Sequence, residues 1–329
     1  MWSRLPNRLR AICHASNDAG TEPGQPAPVR GSSGRDRQVQ QRKGFSGAAA
    51  ASGPGGAEPN TMVLGGHQAA GGCCPHRCRA RLAQVEPSAL LSAAEDDARA
   101  LLVAAATDWG RPVPHCPEWD AGGLVRHTGG IFLWMAAVVT SGERVSRRAL
   151  DPAPEDPAEL AVWYLGSLNR TLAALGAADP GALTWTFSST GERRVAWWCR
   201  RLAVEVAIHR WDAQHAIADG GGGPHPLDGE VATAGIEEFV VEFLPGLLAQ
   251  EGVEGLGGTL RLHATDRPAE WWIDLDAPGS AVPEQAKADT AVRGTRSDLL
   301  LWLTNRGPLD TIEVLGNREI LDRWHQLRR

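Results

Sequence analysis

Apolar positions recur with a helical period from Ser88 onward, and the first stripe runs through Leu90, Leu91, Ala94, Ala98, Leu101 and Leu102. That spacing predicts an amphipathic helix reaching about Asp108, with Ser88 as its N-cap. A second helix follows the loop between Pro114 and Pro117; Asp120 is placed to cap it, and it runs through His127 to about Val139. The acidic, proline-bearing DPAPEDPAE segment leads into a third, from about Pro157 to Leu175, with Leu160, Trp163, Tyr164, Leu168 and Leu172 facing inward. A short stretch from Leu183 to Phe187 reads as extended. The fourth helix covers about Arg194 to Ala218, where the run Gly220 to Gly223 with Pro224 stops it, and the fifth covers about Gly229 to Gln250. Short connections favour antiparallel neighbours, so these five predict a bundle.

After Gly258 the period shortens to two. TLRLHAT, AEWWIDLD and QAKADTAVRG read as strands, SDLLLWLTNR as a helix capped by Ser297, and TIEVLG with NREILDRWHQL as a strand and a closing helix. The fold class expected is therefore α+β: a helical bundle over residues 88–252 and a small α/β unit over 255–329. A unit that small is marginal alone and is expected to pack on the bundle. Residues 1–87 are rich in Gly, Ala, Pro, Ser and Arg without a sustained period, which predicts a disordered extension. Its opening residues lack an apolar core long enough for a secretory signal, and a start at Met62 would account for the segment equally well.

Composition narrows the class. The 329 residues are 43% hydrophobic with a formal charge of -6, which gives no general attraction to nucleic acid. No run is expected to approach the roughly 18 apolar residues of a membrane span, so a cytoplasmic protein, monomeric or weakly dimeric, is expected. The cysteines Cys13, Cys73, Cys74, Cys78, Cys116 and Cys199 are too unevenly spaced for a disulfide framework. Cys73, Cys74, His76 and Cys78 could offer thiolates and an imidazole to a metal, but the tract lacks a second paired half.

Candidate chemistry lies in two stretches, CPEWDAGGLVRHTGG with His127 and RRLAVEVAIHRWDAQ with Glu205 and His209. Positions four apart on a helix share a face, separated by roughly 6 Å along the axis, a gap one metal ion can bridge. Two imidazoles and a carboxylate suit zinc, and three protein ligands leave one position for water or a substrate atom. Glu205 sits among Leu202, Val206 and Ile208, so its charge needs a partner; Arg201 or Arg126 would serve as well as a metal. Asp212 is placed either to orient an imidazole or to pair with Arg210 or Arg201.

These two stretches, with ADTAVRGTRSDLLLWLTNR near the C-terminus, resemble the mycothiol-dependent maleylpyruvate isomerase family over roughly Leu90 to Leu327. The resemblance implies a DinB-like bundle joined to a small domain similar to sterol carrier proteins. It also implies a divalent metal, usually zinc, on His127, Glu205 and His209, and an arginine from the last domain in the catalytic and cofactor-binding site, for which Arg293 and Arg296 are the candidates. Mycothiol would be the cofactor and a small electrophile the substrate. In that family's isomerisation a thiolate adds to a conjugated double bond, the resulting single bond rotates, and elimination returns thiol and the other geometric isomer; transfer of the thiol to an electrophile needs the same activated sulfur. Many relatives carry a histidine a few residues after the GG of the first motif, where this chain has Phe132 or Leu133, which leaves the ligands intact but alters the pocket. A non-catalytic protein binding a metal or an apolar ligand on the same scaffold is the alternative.

Other residues are weaker candidates. Cys116 precedes a helix start and Cys199 lies on the ligand helix; either could react, and either could simply be buried. The tryptophans are expected in the core, and His215, His225 and His263 in solvated or hydrogen-bonded roles.

Overall fold

The computed structural model describes residues 85–218, 223–248, 257–276, 287–307, 309–321 and 324. The cysteine and histidine tract at 73–78, the expected extension up to residue 84, most of the glycine run and the end of the expected fifth helix lie outside the described residues.

Four long helices form the bundle: α1 (Pro87–Ala105), α2 (Ala121–Ser141), α3 (Pro157–Ala177) and α4 (Val195–Ala216). Their starts follow local chemistry. Asp120 accepts a hydrogen bond from the Gly123 amide and caps α2, while Asp156 accepts from the amides of Ala158 and Glu159 and caps α3, with Pro157 preset in the first turn. α1 starts one residue ahead of the expected cap: Pro87 occupies the first turn, so Ser88 is already helical and Glu86 precedes the helix without a side-chain cap. α2 packs closely on α3 because Gly129 has no side chain; a Cβ there would lie 2.2 Å from the Trp163 ring.

α2 is long and apolar enough to cross a membrane, which differs from the sequence expectation, but 67% of its most apolar window is buried in the protein. Its apolar surface is used against the other helices. α4 is buried nearly all round, from Val195 through Ala213. A helix without a solvent face forces each of its charged residues to find a partner inside the protein.

The expected fifth helix is interrupted. α5 (Gly229–Glu238), capped by Asp228, passes into a π-turn over Phe239–Phe243 and then the short α6 (Leu244–Leu248). Pro245 explains the break, since it has no N–H to donate to the preceding turn and its ring crowds the carbonyl four residues back.

The C-terminal unit is a four-stranded sheet in the order β2-β1-β3-β4, with β1 (Thr259–Ala264) antiparallel to β2 (Glu270–Asp274), parallel to β3 (Thr290–Gly294), and β3 antiparallel to β4 (Glu313–Gly316). Leu260, Leu262 and Ala264 alternate inward along β1, as the period-two pattern requires. Helix α7 (Arg296–Leu303) follows β3 and is capped by Thr295, not by the expected Ser297. The Ser297 hydroxyl instead accepts the Leu227 amide at 2.9 Å, tying α7 to the start of α5. Leu300 of α7 packs over Gly235 of α5, where a Cβ would lie 2.5 Å from its methyl group. Residues 319–321 and 324 are helical, and Trp324 is buried against Trp302 and Phe239.

Candidate metal centre

His127 leaves α2 in its second turn, and Glu205 and His209 leave one face of α4 a turn apart. The structure brings the three together: donor atoms from all three lie within 4.8 Å of one another. Oε1 of Glu205 is the hub, 3.3 Å from Nε2 of His127 and 3.3 Å from Nε2 of His209. Glu205 and His209 are buried and His127 is nearly so, with Trp119 packed on its ring at a centroid distance of 4.3 Å. Trp119 comes from the loop before α2, so the CPEWD segment supplies both the helix cap and a wall of the cluster.

Burial pushes His127 down to about 3, against the opposing pull of Glu205, so its ring is neutral and has a lone pair to offer. Burial alone would raise Glu205; the Arg201 guanidinium outweighs it and, with both imidazoles, holds the carboxyl well below its usual range. Arg201 donates to Oε2 of Glu205 through Nη2 and to Oε2 of Glu238 through Nη1 at 2.8 Å. The Arg201 partner left open by the sequence is thus present beside the imidazoles. Arg126 instead pairs with Glu155.

On the other side of His209, Nδ1 meets Oδ2 of Asp212 at 3.0 Å. Asp212 is fully buried and is not a surface partner of Arg210, which pairs with Asp97. Its cation is Arg306, whose Nε and Nη2 donate to the two carboxylate oxygens at 3.0 and 2.8 Å. Burial would raise Asp212, and Arg306 with His209 hold it far below the ordinary carboxylate range. Arg306 is buried too, 94 residues away in sequence, just past α7 where Asn305 takes a left-handed φ of 65°. Sequence reasoning missed it. The signal available was an aspartate one turn after His209 on the inward face of the helix, whose charge needs a cation once it is buried.

The two arginines expected at the site make ion pairs of their own. Arg293 pairs with Glu313 at 2.7 Å and lines a polar cavity of about 300 Å³ with Thr265, Asp298 and Asp310. Arg296 is held by Asp266 at 3.1 Å and by Glu230 at 2.9 Å.

A second group, Cys116, His209 and Asp212, also converges. Arg306 occupies both oxygens of Asp212 and lies 3.8 Å from the sulfur of Cys116, an unfavourable neighbour for a cation. At Glu205, by contrast, the arginine takes one oxygen and the other faces the imidazoles. The donor set His127, Glu205 and His209 therefore fits a divalent ion better. Burial pushes Cys199 up to about 11, which leaves it a thiol at neutral pH. Phe132 is buried against Tyr164, His263 pairs with Glu270, and His215 stacks on Trp211.

Residues 91–214 match the mycothiol maleylpyruvate isomerase N-terminal domain, and residues 230–323 match the C-terminal domain of the same isomerase. The chain belongs to the mycothiol-dependent maleylpyruvate isomerase family. The first match ends within α4 and the second begins within α5, so in this chain all three clustered donors lie in the segment similar to the N-terminal domain and Arg306 lies in the segment similar to the C-terminal one. Among curated proteins none matches this chain in sequence. Two solved structures are similar to it: a mycothiol-dependent maleylpyruvate isomerase, 15% identical with a TM-score of 0.48, and a histidine-to-alanine mutant of such an isomerase, 14% identical with a TM-score of 0.47. Each similarity covers 71% of this chain and 94% of the other.

Proposed function

We propose that His127, Glu205 and His209 hold one divalent cation, zinc by the chemistry of the donor set, and that the protein uses mycothiol with it to isomerise a small electrophile or transfer sulfur to it. The observation that carries this reading is the convergence of three donors from two helices on one point, with Oε1 of Glu205 equidistant from both imidazoles. A bound divalent cation supplies stabilisation of thiolate over thiol near neutral pH. The chain does the rest. Burial keeps His127 uncharged, Asp212 fixes the ring of His209 through Nδ1 so that Nε2 points inward, and Trp119 packs on the ring of His127 and holds it in place. Arg306, acting through Asp212, is the arginine by which the C-terminal unit supports the site; Arg293, on β3, and Arg296, at the start of α7, are the arginines assigned to contact the thiol or substrate.

Elemental analysis of purified protein should find about one zinc per chain, lost in His127→Ala and in Glu205→Ala. Calorimetry should show binding of mycothiol but not of its S-methyl derivative. Folded wild-type protein without metal would overturn the reading. One observation favours a second: Arg201 already neutralises Glu205, so the cluster also satisfies its charges as an ion-paired core of a non-catalytic binding protein. Zinc content separates the two.

A further inference from the structure

A carboxylate can offer a cation one oxygen or two. At Glu205 the two oxygens have different surroundings. Oε1 faces Nε2 of both His127 and His209, while Oε2 accepts Nη2 of Arg201. Arg201 does not hang freely: Nη1 donates to Oε2 of Glu238 at 2.8 Å, and the side chains of Arg201, Glu205 and Glu238 are all within 2% of complete burial. Glu238 is the last residue of α5, at the mouth of the π-turn. Four residues on, within that turn, Glu242 accepts Nε1 of Trp197 on α4 at 3.1 Å. The widened turn is therefore pinned to the ligand helix at two carboxylates, one just before it and one inside it, and the planar fork of Arg201 spans the gap between Glu238 and Glu205.

We infer that Arg201, tethered by Glu238, restricts Glu205 to a single oxygen donor and so keeps the fourth coordination position free for an exogenous thiol. This rests on the cation reading above. It assigns Arg201 and Glu238 as positioning residues, and it gives the interrupted helix a purpose beyond accommodating Pro245. A buried arginine next to a cation site is an electrostatic cost, and the tether explains its presence: without it Oε2 would swing in, complete a four-donor shell from the protein alone, and compete with the thiol.

Full-length protein loaded with cobalt(II) and titrated with 2-mercaptoethanol separates the two quantities, because ligand-field bands report the ion and the thiolate-to-cobalt charge-transfer band reports the exogenous sulfur. In Arg201→Met cobalt should remain bound while the thiol dissociation constant rises about tenfold or more. Arg201→Lys should recover part of that loss, and Glu238→Ala, which leaves the guanidinium present but untethered, should give a smaller rise. If Arg201→Met does not fold, the Lys and Glu238→Ala variants carry the test. Unchanged thiol binding in the folded variants overturns the tether while the cation site stands, as does a folded Arg201→Met that loses cobalt altogether. Wild-type protein that takes up no cobalt overturns the cation reading and this inference together.

Discussion

The two flanks of α4 are braced differently. Upstream, Glu205 is held by Arg201 on the same helix and then by Glu238 at the end of α5, so the whole brace lies within the helical part of the chain. Downstream, His209 is held by Asp212 on the same helix, but the next partner, Arg306, arrives from beyond α7 in the C-terminal unit. Each flank repeats one scheme, a local partner three or four residues away backed by a buried acid or base from a distant element. The difference is what the distant element belongs to. The downstream flank makes the sheet unit part of the candidate site although that unit contributes none of the three clustered donors.

Removing Arg306 should produce the largest effect. Arg306→Met leaves Asp212 buried without its cation and should cost about 3–5 kcal/mol in denaturant unfolding. If the cost is under about 1 kcal/mol, as for an exposed pair, the downstream flank is not a brace. Next, adding Asp212→Asn to Arg306→Met should restore part of the loss, giving a coupling of about 1–3 kcal/mol between the two positions. Additive effects would show that they act separately.

Next to the upstream flank, a sequence neighbour of Glu238 carries a pH signature. Glu237, beside Glu238, is pushed up to about 7 from 4.5, chiefly by burial, with Arg200 opposing and Glu230 adding to it. The folded state therefore binds more protons than the unfolded state across that window. This contribution to stability is fully present below about pH 4.5 and is lost as pH rises through 7. Glu237→Gln should abolish the loss and gain about 1–2 kcal/mol over wild type at pH 8, allowing for partial solvent screening. Equal pH profiles for the two proteins would remove the titration from this flank. Smallest, Thr295→Ala deletes the cap of α7 and should cost about 1 kcal/mol, with faster amide exchange around Arg306 than around Glu238. Equal exchange at both places would mean that the flanks loosen as one.

The near half of each flank was legible in the sequence because helical spacing is local. Glu205 with His209, Arg201 four residues before and Asp212 three after all follow from the helical period. The caps at Asp120 and the two-residue period of β1 were equally readable. The far halves were not, since pairing Arg306 with Asp212 or Glu238 with Arg201 depends on how elements pack, and TNRG after an apolar helix looks like an exposed turn. The fifth helix misled for a related reason: its apolar pattern runs on past Phe239, and only the missing N–H of Pro245 betrays the change of register. The caps expected at Ser88 and Ser297 each lie two residues beyond the observed cap positions, because Pro87 and Thr295 take over the starts of those helices.

The Arg306 to Asp212 bond also limits how this architecture can be recombined. A chimera that grafts the sheet unit of one relative onto the helices of another brings in whichever residue stands at the arginine's place, and an aspartate left behind with a neutral graft would be stranded in the interior. Viable hybrids should therefore inherit the two residues together, so the seam between the modules is also the place where shuffling is most constrained.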